Sequence, residues 1–173
     1  KANINGVYNL FEACRISGVK RIVAASSGAV VAGYEQEEPF RSMVHDPDFV
    51  MPVPRPLVAI GDPVRLRGFY TVSKMFTENL GQMYSAQYDM SVICIRVGKV
   101  EIEDVPLNAR NASVGCSHRD IVQMIDKAVH APDDLKYAVV FACSDNPTRY
   151  RDIDHAKEVL GFVPQESAAD HGF

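Results

Sequence analysis

Tyr70 and Lys74 stand four residues apart in Gly68-Phe-Tyr-Thr-Val-Ser-Lys74. On a helix, residues i and i+4 share a face, so a phenol and an ammonium group point at one small volume. A neighbouring cation stabilises phenolate over phenol, and a phenol so placed can exchange a proton with a bound hydroxyl near neutral pH. Upstream, Arg21-Ile-Val-Ala-Ala25 runs into Ser26 and Ser27. A serine hydroxyl at that strand end supplies a donor for the oxygen whose proton moves. The Tyr/Lys spacing alone arises by chance in roughly one chain in three of this size. A half-buried aromatic at a helix start is the other reading of Tyr70.

The elements around the pair give it context. Ile4, Val7, Leu10, Phe11 and Cys14 recur at helical spacing and predict a helix over 2–17 with that face buried and Gly18 as its stop. Strands are predicted at 21–26, 91–97 and 137–143. The Tyr/Lys helix runs over about 70–87. Ser117 and Asp120 form a capping box that opens a helix to about 130, and a short helix at 152–160 ends at Gly161. This alternation is that of an α/β fold with a parallel sheet, whose functional groups gather at the carboxyl ends of the strands. Residues 34–68 hold six of the ten prolines and two acidic clusters, Glu35 to Glu38 and His45 to Asp48. They read as a long loop, either a flap over the site or a weakly ordered insertion. Residues 99–116 read as irregular.

Composition narrows the partners. With 173 residues and 47% hydrophobic content, the chain can bury a core of its own. A net charge of −4 provides no broad basic surface for nucleic acid. No apolar run is long enough to span a bilayer, so no membrane role is expected. Cys14, Cys94, Cys116 and Cys143 lack C-x-x-C spacing and read as buried thiols in a reducing cytoplasm. His118 and His155 have no metal-ligand partner at i+4, and no metal is expected.

Asn3-Ile-Asn-Gly-Val-Tyr-Asn-Leu-Phe-Glu-Ala13, Gly18-Val-Lys-Arg-Ile-Val-Ala-Ala-Ser-Ser27, Tyr70-Thr-Val-Ser-Lys74 and Ile95-Arg-Val-Gly98 together resemble the extended short-chain dehydrogenase/reductases. More narrowly, they resemble the NAD-dependent epimerase/dehydratase group. Within it the chain is most similar to uronate dehydrogenases. Arg110, followed by Ser113 and Ser117-His-Arg-Asp120, falls where those enzymes place a substrate-binding arginine, and Leu160-Gly-Phe-Val-Pro164 matches their closing segment. The resemblance implies the carboxyl half of a Rossmann-type NAD-binding domain over 1–98 and a small substrate-binding extension over 99–173. It further implies a homodimer paired through the helices at 2–17 and 70–87, where Met75, Phe76, Leu80, Met83 and Tyr84 exceed the needs of one core face, unless that helix is fully buried.

The resemblance also assigns roles. Tyr70 is the general acid/base, Lys74 its electrostatic partner, and Ser27 the third catalytic group. Tyr70, Lys74, Lys99 and Asn3 contact NAD, and Ser27, Gly28 and Arg110 contact a sugar or sugar acid that is oxidised by hydride transfer. Alternatives stand beside these. Counting back from Gly33 puts Gly28 in place of Ser27, and both serines also suit strand-end caps. Asn3 suits an N-cap, and Arg110 either holds a carboxylate or is a solvated loop residue. Lys99 stands where uronate dehydrogenases carry a small polar residue, a departure at the cofactor, and Gly28 and Ala29 replace side chains those enzymes use on the sugar, which leaves the sugar open. None of the eleven glycines forms G-x-G-x-x-G, and the chain opens at what the resemblance makes the fourth helix. The expectation is therefore the carboxyl part of a longer enzyme, inactive alone. Nucleotide-sugar epimerisation or dehydration, and a non-catalytic binding remnant, are the alternative functions.

Overall fold

Among the described residues, Ser91–Val97 (β2) is the one strand buried along almost its whole length, as expected of a parallel strand covered on both faces. It lies between Arg21–Ala25 (β1) and Tyr137–Ala142 (β3) in a three-stranded parallel sheet of order β1-β2-β3. The register pairs Val23 with Ile93 and Ile93 with Ala138. The computed structural model describes residues 2–46 and 48–173. β3 lies beyond the 98/99 boundary expected from sequence, yet pairs with β2 from Tyr137 to Ala142 in the same sheet.

Alternation along β2 sorts the core. Val92 and Cys94 face Phe11, Leu80 and Tyr84, which belong to two helices, Val7–Ile16 (α1) and Phe69–Tyr88 (α3). Ile93 and Ile95 face Met124, Ala128, Ala156 and Leu160 from His118–Val129 (α5) and Asp154–Leu160 (α6). Side chains alternate faces along a strand, so a continuous apolar run feeds two helical layers. α3 lies close to β2 because Gly81 has no side chain: a Cβ there would stand 2.8 Å from Val92 Cγ1. Asp89, in the left-handed conformation at φ 52°, ends α3.

Several expectations need correction. Ala2–Gly6 forms a π turn before α1. The predicted face is covered only in part: Phe11 is buried and Val7 and Cys14 pack against the same cluster, but Leu10 is 58% and Ile4 38% exposed. Of the five apolar residues singled out on α3, Leu80 and Tyr84 are core and only Met83 is exposed. The stretch 34–68 is no loose insertion among its described residues. It contains the end of a 3₁₀ turn over Gly28–Gln36 and the helix Phe40–His45 (α2), and Met43, Val44 and Val58 join Tyr150 and Phe141 in a third core cluster. Residues 99–116 contain the helix Ala109–Val114 (α4), capped by the Asn108 side chain, which accepts from Asn111 N at 2.9 Å. At α5, Ser117 accepts from Asp120 N at 3.1 Å, but the box is not closed. The Asp120 carboxylate is buried and accepts instead from Ser144 Oγ (2.5 Å) and Gln165 N (2.7 Å), tying α5 to the carboxyl-terminal segment. Among the described residues no helix is long and apolar enough to cross a membrane.

Candidate active site

The start of α3 presents Tyr70 at the carboxyl end of the sheet. Gly68 precedes the helix without capping it. Thr71 Oγ1 accepts from Arg67 N (3.0 Å) and donates to Gly68 O (2.8 Å), fixing the first turn. Tyr70 is half exposed, and its hydroxyl bonds to nothing among the described residues. One turn on, Lys74 Nζ donates to Ala25 O, the last residue of β1, at 2.9 Å, and lies 5.7 Å from the Tyr70 ring centre. An ammonium has three donors, so two remain for other partners. Asn3 does not cap α1. Its Nδ2 donates to Ser73 Oγ (3.1 Å), which donates to Tyr70 O (2.6 Å), so Asn3 anchors the first turn of α3 instead.

The two serines diverge. Ser26 is buried and donates to Glu78 Oε1 at 2.6 Å. Ser27 Oγ accepts from Ala29 N (3.2 Å) as cap of the 3₁₀ turn and keeps its proton to donate. Gly28 is buried against Arg151, whose guanidinium a Cβ would strike. An open cleft of about 660 Å³ is bordered by Ala29, Ala32 and Gln36 from the 3₁₀ turn, Arg67, Tyr70, and Arg110 from α4. That volume suits a small ligand. Lys99 lies elsewhere, paired with Glu101 at 3.1 Å beside a cavity of about 30 Å³, room for about one water.

Three important residues escaped the sequence reading. Glu78, one turn beyond Lys74, receives Arg96 Nε and Nη2 at 2.9 Å each, with both side chains only 4% exposed. This pair and the Ser26 bond lock α3 to β2 and to the end of β1. A charged residue inside the apolar run of β2 was the available signal. Glu35, in the first acidic cluster of 34–68, is buried. It accepts from Arg110 Nε (2.6 Å) and Nη2 (2.9 Å) and from the Tyr150 hydroxyl (2.7 Å). The Glu35 carboxylate makes Arg110 hold its proton still more firmly, while burial pushes the Tyr150 phenol up to about 12.

Cys94, Cys116 and Cys143 are buried, and burial pushes Cys94 up to about 12 and Cys143 to about 11. Thiolate is the reactive form. Iodoacetamide at mildly alkaline pH should therefore label the partly exposed Cys14 first and the other three only after unfolding. Peptide mass spectrometry checks this, and early labelling of Cys94 would contradict it. No group of three or more His, Cys, Asp or Glu suited to a metal occurs among the described residues.

Residues 1–114 match the model of the NAD dependent epimerase/dehydratase family. A uronate dehydrogenase of Agrobacterium fabrum is 35% identical over 168 residues, covering 97% of this chain and 55% of the relative. An NAD-dependent glucose-6-phosphate dehydrogenase of Haloferax volcanii is 31% identical over 172 residues, covering 99% and 63%. The crystal structure of uronate dehydrogenase from Agrobacterium tumefaciens superposes with a TM-score of 0.79 at 32% identity, covering 98% of this chain and 56% of that one. The chain thus spans about half to two-thirds of the length of these relatives.

Proposed function

The chain belongs to the NAD dependent epimerase/dehydratase family, and from that premise we propose that the protein carrying it oxidises a hydroxyl of a sugar or sugar acid, with NAD as acceptor. The observation that carries the reading is the cleft beside Tyr70, with Lys74 on the same helical face and Ser27 at the neighbouring strand end. Tyr70, as phenolate, takes the hydroxyl proton. Ser27 donates to the same oxygen and orients it, and Lys74 stabilises the phenolate through its positive charge. NAD, when bound, accepts the hydride from the carbon. Lys74 has spare donors for the nicotinamide ribose, and Asn3 holds the turn that carries Tyr70. Lys99, engaged by Glu101 but 45% exposed, likewise keeps donors for a cofactor. Three buried thiols suit a reducing compartment, and we place the reaction in the cytoplasm.

The test is a panel of uronic acids, neutral aldoses and nucleotide sugars offered with NAD to the intact protein, read as NADH absorbance. Net NADH from free sugars or sugar acids supports the reading. Conversion of a nucleotide sugar without net NADH overturns it in favour of epimerisation. The 173-residue chain alone has no glycine-rich pyrophosphate turn and should bind NAD weakly or not at all by isothermal titration. Submicromolar binding would contradict this.

We also propose self-association. α1 and α3 expose Tyr8, Leu10, Val72 and Met83, apolar area that pairing would cover. Light scattering at micromolar concentration should give the mass of a dimer for the intact protein, and a strictly monomeric mass would count against pairing.

A further inference from the structure

We propose that Glu35 takes the place of a substrate carboxylate against Arg110, so that the cleft selects neutral sugars over the corresponding uronic acids. This rests on reading the cleft beside Tyr70 as the sugar site.

The two partners differ in position. The Arg110 side chain is 37% exposed and borders the cleft, whereas that of Glu35 is 2% exposed. An unpaired guanidinium there would favour an anion. Bound through Nε and Nη2, it instead faces the cleft as one end of a neutral pair. Tyr150 supplies a further donor to Glu35, so the carboxylate is held by three hydrogen bonds and is a costly group to displace. An incoming carboxylate would meet a cation already neutralised, with a second negative charge just behind it. What Arg110 retains are the N–H groups of Nη1 and one on Nη2, directional donors without net charge, suited to the hydroxyl oxygens of a neutral sugar. Arg67, also on the cleft, is exposed to solvent and makes no side-chain hydrogen bond among the described residues. Water and salt screen such a charge.

The experiment compares kcat/KM of the intact protein for matched pairs, glucose with glucuronate and galactose with galacturonate, in wild type, Glu35→Gln, and Glu35→Gln combined with Arg110→Met. Wild type should use the acid no better than the neutral sugar. Glu35→Gln keeps the shape but frees the Arg110 charge, and should raise the acid-to-neutral ratio about 10- to 100-fold, mainly through KM for the acid. The double variant should return the ratio to near wild type, which a merely structural role for Glu35 would not produce. A wild type that prefers the acid by about tenfold, or a ratio unmoved by Glu35→Gln, overturns the inference while leaving the role of Tyr70 intact. The wild-type ratio decides even where Glu35→Gln does not fold. If none of the four sugars is oxidised, the reading of the cleft as the sugar site fails, and saturation-transfer NMR with glucuronate still tests Glu35. Binding at least about fivefold tighter in Glu35→Gln than in wild type supports the inference, and equal or absent binding in both overturns it.

Discussion

Replacing Tyr70 with Phe in the intact protein should lower kcat by roughly 100-fold or more while changing NAD affinity by less than about twofold. Only one oxygen is removed. The ring is half exposed at the first turn of α3, and its hydroxyl holds no internal partner, so the change costs the fold little. What disappears is the group that, in the proposed reaction, takes the proton. Lys74→Ala should differ in kind. It removes both the charge beside the phenol and the bond to Ala25 O that ties α3 to β1, and should weaken turnover and NAD affinity together. Steady-state kinetics with NAD titration separates the two patterns. A Tyr70→Phe enzyme with wild-type turnover would remove Tyr70 from the mechanism.

The second large effect is on stability. Glu78→Ala leaves the Arg96 guanidinium buried against Phe141 without its carboxylate, and Ser26 without its acceptor. Breaking a buried ion pair from one side costs about 3–5 kcal/mol, which for a domain of this size lowers Tm by on the order of 10 °C. Removing both charges, as in Glu78→Leu with Arg96→Met, should recover much of that loss, because apolar residues of similar volume carry no desolvation cost. Thermal unfolding of wild type and the two variants tests the contrast. A single variant within about 2 °C of wild type would show that water reaches Arg96.

These cases also show how far the amino-acid sequence could be read. β1, β2 and β3 were legible because residues 22–25, 92–95 and 138–142 are short apolar runs of strand length, and the Tyr70/Lys74 juxtaposition was legible because four residues make about one helical turn. Pairings distant in sequence were not. Arg110 meets Glu35 across 75 positions, and nothing local distinguishes a glutamate that folds inward from one left in water. Prolines in 34–68 signalled the lack of regular strands but not the packing of Met43, Val44 and Val58. On α1, periodicity gave the correct face for Phe11, yet Leu10 remains exposed. A stripe marks what an element can bury, not whether a neighbour is there to cover it. Asp120 illustrates a related limit, since the capping box competed with two tertiary donors and lost.

The most direct test of the central claim is isotope transfer. The intact protein is given NAD and a sugar or sugar acid carrying deuterium on the carbon that bears the reacting hydroxyl, and the nicotinamide is analysed by mass spectrometry. The account predicts one deuterium in the reduced nicotinamide for each sugar oxidised, with transfer slowed in step with turnover by Tyr70→Phe. Product formed with no deuterium in the nicotinamide, or deuterium returned to the sugar with no net NADH, would contradict it.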